Sequence, residues 1–165
     1  MARSNSYHND MLKRSEINSD CFTRLKNLTA PEVFWLWAIH YWVQSRANKV
    51  DPVPMFSRAF WEVKIVTNPD NDMAPEFDYI LSILKDFAKY PLSVGCRCCC
   101  GFLGKTEQIV LGCMALQQTD CDPKNVSGII LQNVLPELLA NTVLITLKDL
   151  SQASLRAGMA LPVRS

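Results

Sequence analysis

The sequence predicts an all-α fold, a single bundle of five to seven helices in one domain spanning residues 1–165. Three observations support this. Apolar residues recur at three- and four-residue spacing along most of the chain. Three candidate helices open with a Pro-Glu pair, at Pro31, Pro75 and Pro136, which suits a first helical turn. The length of 165 residues fits one core. We expect flexible tails at 1–10 and 159–165.

Two helices are predicted in the first 50 residues. A loosely patterned one runs from about Asp10 to Leu28, with Leu12, Ile17, Cys21, Phe22 and Leu25 on its apolar face. The next begins with a capping box, in which the Thr29 hydroxyl and the Glu32 carboxylate satisfy backbone N–H groups reciprocally. Residues 33–43 are apolar nearly all round, so this helix must be buried on most sides.

Two further helices are predicted before residue 92. A stiff linker at 51–54, rich in proline, precedes a helix from Met55 to Val66. A cluster of turn residues follows at 68–72. The fourth helix opens at Pro75 and ends at Tyr90, because Pro91 disfavours helical backbone in the residue before it.

Residues 92–118 fit two alternatives. One is a small-residue helix followed by a second helix at 106–118. The other is a β-hairpin that pairs 92–100 with 109–116 across a glycine-containing loop. The helix is favoured because Ile109, Val110, Cys113, Met114 and Gln117 share one face.

Two helices are predicted at the C-terminal end. Asp122 and Pro123 suit the cap and first turn of one of them. Pro136 either kinks it or restarts a new helix. The last helix runs to about Arg156, and Gly158 is a suitable stop. We expect 31–45 and 126–150 at the centre of the bundle.

Charge and composition exclude several functional classes. The net charge is +1 and the basic residues are scattered, so no nucleic-acid surface is expected. Residues 126–147 are long enough to span a membrane, but polar Gln132, Asn133 and Asn141 argue against insertion. The polar residues 1–20 do not resemble a secretory signal. The chain has seven cysteines, and an odd number cannot all pair in disulfides. Both observations favour a cytoplasmic protein, in which thiols stay reduced.

A cysteine run is the strongest candidate for site chemistry. Cys96, Cys98, Cys99 and Cys100 stand between two glycines. Such thiols can bind zinc or another thiophilic metal, act as a redox sensor, or pack as small apolar side chains. Further metal ligands would have to come from residues with irregular spacing, namely Cys113, Cys121 and His40. Packing is therefore favoured, and no cofactor is expected.

The sequence favours a non-enzymatic function. Charged residues make up only 20% of the chain, aromatic residues are abundant, and no set of polar catalytic residues is evident. We therefore expect an interaction module, either an adaptor, a chaperone-like subunit or a regulatory subunit, that binds a protein partner or a second copy of itself. Trp35, Trp37, Trp42 and Trp61 are its candidate interface residues. The alternative is a metal-binding or redox-sensing protein built on the cysteine run.

Overall fold

A computed structural model describes residues 27–68, 71–95, 103–119 and 125–164. Within these ranges the chain folds into six α-helices and one short two-stranded ribbon, which confirms the all-α prediction. The elements are α1 (Ala30–Ala47), α2 (Val53–Glu62), β1 (Val66–Asn68), β2 (Asn71–Asp72), α3 (Ala74–Phe87), α4 (Lys105–Gln118), α5 (Val126–Val134) and α6 (Glu137–Arg156). No helix in the described ranges is both long enough and apolar enough to cross a membrane.

The predicted capping box at the start of α1 is confirmed. The Thr29 N–H donates to Glu32 Oε2 at 2.7 Å, and the Glu32 N–H donates to Thr29 Oγ1 at 3.4 Å. Residues 10–26 of the helix predicted before it lie outside the described residues, as does the tail at 1–10. Asn27 and Leu28 are not helical.

Helix α2 begins earlier and ends earlier than predicted. It starts at Val53, because the Asp51 carboxylate accepts the Val53 N–H at 3.0 Å and a proline in the first helical turn needs no N–H partner. It ends at Glu62, and Lys64 then adopts a left-handed conformation with φ of 63°. Three residues of the predicted turn cluster, Asn68, Asn71 and Asp72, lie in the antiparallel ribbon, in which Val66 pairs with Asp72. Residues 69–70 lie outside the described ranges.

Helix α3 ends three residues before the predicted stop. Ala88 has extended backbone, and the chain then runs towards the end of α5. There the Lys89 N–H donates to Val134 O at 2.8 Å, and its ammonium donates to Gln132 O at 2.6 Å. Carbonyl groups left unpaired at the end of α5 are satisfied in this way.

The β-hairpin alternative for 92–118 is wrong. Residues 109–116, its proposed second strand, lie inside α4, and the helix predicted at 106–118 is confirmed. Residues 92–95 have no regular structure, and 96–102 lie outside the described ranges.

The C-terminal helices are separate, so Pro136 restarts a helix. Leu135 is extended and α6 begins at Glu137. Helix α5 begins at Val126, with Asn125 as its cap. The predicted cap residues 122–123 lie outside the described ranges.

The predicted stop at Gly158 is confirmed in detail. Gly158 has φ of 79°, its N–H donates to Leu155 O at 2.9 Å, and the Met159 N–H donates to Ser154 O at 3.0 Å. This pair of bonds is the Schellman motif, which satisfies the last carbonyls of α6.

The core forms around α6, which packs against α3, α4 and α5, while α1 packs against α3 and α4. Trp35 of α1 is fully buried, and its indole N–H donates to Ser154 Oγ of α6 at 3.3 Å. Its ring centre lies 5.4 Å from that of Phe60 and 5.3 Å from that of Phe77. Edge-on aromatic contacts of this kind fix how the first three helices pack.

The segment after α6, where the sequence predicts a flexible tail, contacts the bundle. Leu161 is buried, and its N–H donates to Gln118 Oε1 at 2.6 Å. The Gln118 amide in turn donates to Met159 O at 3.1 Å. Arg164 forms an ion pair with Glu32. Through one buried apolar side chain and these polar contacts, residues 159–164 contact α1 and α4.

Candidate functional site

An open groove of about 460 Å³ lies between α1 and α2. We call it the aromatic groove. Its lining residues are Phe34, Trp37, Met55, Arg58, Ala59, Glu62 and Val63. Aromatic rings and aliphatic groups form most of the surface, and the two charged residues belong to α2.

The groove follows from the composition of α1. Apolar residues surround this helix, so its two sides cannot both face the same core. Trp35 and Ile39 are buried in the bundle, while Phe34, Trp37 and Tyr41 are only half-buried. These three residues stand at i, i+3 and i+7, which places them on one face of a helix.

The rings of this face contact one another along α1. The ring centres of Phe34 and Trp37 are 5.9 Å apart, and the rings of Trp37 and Tyr41 stack with centres 5.6 Å apart. The core supports them from below, since Phe34 lies 6.1 Å from Phe60 and Tyr41 lies 5.8 Å from Phe56. The aromatic surface is therefore held in place before any partner binds.

The charge at the edge of the groove is balanced. The Arg58 guanidinium contacts the Glu62 carboxylate at 3.3 Å, one helical turn away, and both side chains are exposed. A neutral edge does not favour a strongly charged ligand. The groove is suited chemically to an apolar side chain with mixed polar neighbours.

The four tryptophans of the predicted interface occupy different environments. Only Trp37 lines the aromatic groove. Trp35 belongs to the core. Trp42 is buried, and its indole N–H donates to the Asp78 carboxylate at 2.7 Å. Trp61 is 65% exposed on α2 but does not line the groove.

Two residues of the groove were missed by the sequence analysis as site residues. The sequence places Phe34 only in the stretch 33–43 that is apolar nearly all round, and Met55 only at the start of the next helix, yet Met55 is 40% exposed. The three-residue spacing between Phe34 and Trp37 is a signal that could have identified Phe34 as a site residue. Nothing local identifies Met55, because its exposure depends on how α2 packs against α1.

The predicted metal residues Cys96, Cys98, Cys99 and Cys100 lie outside the described residues, as does Cys121. The described Cys113 is fully buried in α4, with its sulfur 3.9 Å from the Ser127 carbonyl oxygen. No cluster of three or more metal-ligating side chains occurs in the ranges that the structure describes.

The two ends of the cysteine-bearing segment are held by one buried carboxylate. Glu107 of α4 accepts the Gly95 N–H at 2.9 Å and the Gly104 N–H through Oε2, and its other oxygen contacts His40 Nε2 of α1. Ser93 O accepts the Thr106 N–H at 3.0 Å. We call this arrangement the glutamate clasp. It joins α1, α4 and both flanks of 96–102.

Glycine is required at position 104 of the clasp. A Cβ atom there would lie 2.3 Å from Ser93 O and 2.6 Å from Gly95 N. Both are backbone atoms, which cannot move aside as a flexible side chain can. The two flanks therefore approach as closely as the backbone allows.

A second buried carboxylate joins α1 to the C-terminal segment. Burial of Glu32 acts to raise the pKa of its carboxyl group, but hydrogen bonds from Arg164 and Thr29 outweigh burial and keep this pKa below its ordinary value. The same bond to Glu32 raises the pKa of Arg164. The pair is thus charged at neutral pH, and its chemistry is structural.

Comparisons with protein-family models, with curated proteins and with solved structures give no match to this chain.

Proposed function

We propose that this chain is a non-enzymatic protein–protein interaction module, located in the cytoplasm, that binds an apolar helix of a partner protein in the aromatic groove. The observation that carries the proposal is the half-buried face of Phe34, Trp37 and Tyr41 on α1, opposite the 40% exposed Met55 of α2. The odd number of cysteines supports the location, because thiols stay reduced in the cytoplasm.

The side chains of the groove are those enriched in protein interfaces. Aromatic residues and methionine are over-represented in interface cores. A methionine adapts to the shape of its partner, since its chain is unbranched. Rings that the core already holds lose little conformational freedom on binding, which favours affinity.

A helix is the occupant that fits best. A groove between two helices accepts the apolar face of a third, with anchor residues at i, i+3 or i+4, and i+7. The neutral ion pair of Arg58 and Glu62 at the edge can bond to polar groups that flank such a face. Partners that bind through charge alone are disfavoured.

The proposal is tested by placing a charge in the groove. We expect Met55→Glu to weaken partner binding by at least about tenfold, because a desolvated carboxylate opposes an apolar anchor. Ile145→Glu is the matched control, since Ile145 is 65% exposed on α6 and is not a groove residue. Both variants should keep the unfolding midpoint of the wild type.

Site-specific photo-crosslinking at position 55 identifies the partner and the contact. Crosslinks from 55 to an amphipathic helix, lost on competition with that helix as a peptide, support the proposal. Crosslinks that form equally from position 145 contradict it. Light scattering tests whether the bound partner is a second copy of this chain. A dimer that Met55→Glu dissociates would show that a second copy occupies the groove. A strict monomer without any crosslinked partner defeats the proposal.

A second candidate function is thiol-dependent metal binding or redox sensing by Cys96, Cys98, Cys99 and Cys100, with zinc as the alternative cofactor. The glutamate clasp favours this function, because Glu107 binds both Gly95 and Gly104, which flank the cysteine run in sequence. Elemental analysis of protein purified without chelator tests it. Stoichiometric zinc, copper or iron that is lost in a Cys98→Ser, Cys99→Ser double variant supports it, whereas sub-stoichiometric metal with unchanged folding of that variant removes it.

A further inference from the structure

A second pocket, of about 590 Å³, lies between α1, α3 and the segment that follows α3. We call it the basic-rimmed pocket. Its volume falls within the range of small-molecule sites, which is roughly 300–1,000 Å³. The aromatic groove and this pocket share no lining residue.

The walls of this pocket are mainly apolar. Trp42 and Val43 contribute from α1, Leu81 from α3, and Leu92 from the segment after it. Trp42 and Leu81 are buried in the core beneath, while Val43 is 38% exposed at the surface. A ligand that enters would therefore bury apolar surface against side chains that already have fixed positions.

Two cations stand in the lining, and they differ in their partners. Arg46 is paired with the Asp78 carboxylate at 2.5 Å, and Asp78 also accepts the Trp42 indole N–H at 2.7 Å. The charge of Arg46 is thus compensated. Lys85 is exposed, with its ammonium 6.0 Å from the centre of the Trp42 ring, and it forms no ion pair within the described part of the chain.

Within the described part of the lining, Lys85 therefore carries the one uncompensated charge, which is positive. An apolar cavity with one uncompensated ammonium complements a ligand with an apolar body and one anionic group. Aryl and acyl carboxylates have this chemistry. Among the described lining residues, a dianion or a polyphosphate would find one free cation, Lys85, and few polar groups.

We propose that the basic-rimmed pocket binds a small amphipathic monocarboxylate. Lys85 binds the carboxylate, and Trp42, Leu81 and Leu92 contact the apolar portion. This inference is independent of the proposed partner site, since it concerns other residues and another class of ligand.

Octanoate and the uncharged 1-octanol are the probes, and the indole N–H resonances of the full chain are the readout. We expect octanoate to bind about fivefold more tightly than 1-octanol, which is the strength of one partly exposed ion pair. In Lys85→Met this preference should disappear, because the aliphatic stem remains and the charge does not. Lys85→Arg should retain it.

Two controls keep the test specific. Lys148→Met removes an exposed cation of α6, which is not in the pocket lining, and should leave the preference unchanged. Val43→Trp should block the pocket and weaken both probes. Met55→Glu in the aromatic groove should affect neither.

Three results would overturn the inference. They are equal affinities of the two probes for the wild type, a preference that survives in Lys85→Met, and octanoate binding that Met55→Glu abolishes. The last would place the probe in the aromatic groove. A failure of the proposed partner site, with octanoate binding intact, would leave the inference standing.

Discussion

Arg164 holds Glu32 with two parallel hydrogen bonds. Its Nε donates to Oε1 at 2.6 Å, and its Nη2 donates to Oε2 at 2.8 Å. The same Nη2 reaches the Asn27 carbonyl oxygen at 2.8 Å. The C-terminal segment thereby contacts the residues that begin α1, through Glu32, a residue that is only 3% exposed.

Loss of this guanidinium should destabilise the fold. We expect Arg164→Ala to lower the free energy of unfolding by about 1–3 kcal/mol, because a buried carboxylate loses charge-assisted bonds. Arg164→Lys should recover only part of the loss, since an ammonium cannot form the two-pronged contact. Urea denaturation measures both. Arg58→Ala, which breaks an exposed pair, should cost no more than about 0.5 kcal/mol, and an equal loss in the two alanine variants would contradict the assignment.

Acidification should weaken the same contact. The pKa of Glu32 is lower in the fold than in the unfolded chain, so its stabilisation is complete above the ordinary glutamate pKa. It is lost as the pH falls through the depressed value. Urea denaturation series between about pH 3 and pH 7 should therefore show a steeper acid decline for the wild type than for Glu32→Gln. Parallel profiles would show that other carboxylates cause the decline.

Alanine substitution of two glycines, one just before α4 and one within it, should change the stability of the protein in opposite directions. Gly104→Ala forces a Cβ against Ser93 O and Gly95 N, and we expect a loss of about 1–3 kcal/mol as the glutamate clasp opens. Gly112→Ala places a methyl where nothing lies within 4 Å. It should stabilise the protein by about 0.5–1 kcal/mol through helix propensity. Thermal unfolding of the two variants is the measurement, and a Gly104→Ala variant as stable as the wild type would argue against the clasp geometry.

The end of α6 should depend on backbone conformation alone. Gly158 has φ of 79° and an open surrounding, so Gly158→Ala meets conformational strain without a clash. We expect a cost of about 1 kcal/mol. Gly158→Asn should cost less, because asparagine tolerates the left-handed region. Chemical denaturation compares the two, and equal stability of the alanine variant and the wild type would refute the Schellman ending.

The features that sequence reasoning found are local. The capping box of Thr29 and Glu32 and the stop at Gly158 each need only a few neighbouring residues, and so does the interruption at Pro136, which the sequence left open as a kink or a restart. Their physical cause is the set of unpaired backbone groups at helix ends, which the nearest side chains satisfy. Local chemistry therefore sufficed to place these ends.

The features that sequence reasoning missed depend on residues that are distant in the chain. Trp35 and Trp37 look alike in sequence, and what separates them is Ser154, which is 119 residues from Trp35. Glu32 meets Arg164 across 132 residues. Periodicity shows which residues share a face of a helix, but it does not show which face packs against the core. For this reason the predicted interface mixed core residues with Trp37 and Trp61.

The central position of α6 has a consequence for biosynthesis. The ribosome makes this helix after α1 to α5, yet α3, α4 and α5 all pack on it, and Trp35 finds its hydrogen-bond partner there. The core cannot close until residues near Ser154 have left the exit tunnel. Nascent α1, α2 and α3 can already form their mutual aromatic contacts, but the faces of α3, α4 and α5 that α6 covers stay exposed while translation proceeds. Such exposed surface is prone to aggregation and is bound by chaperones.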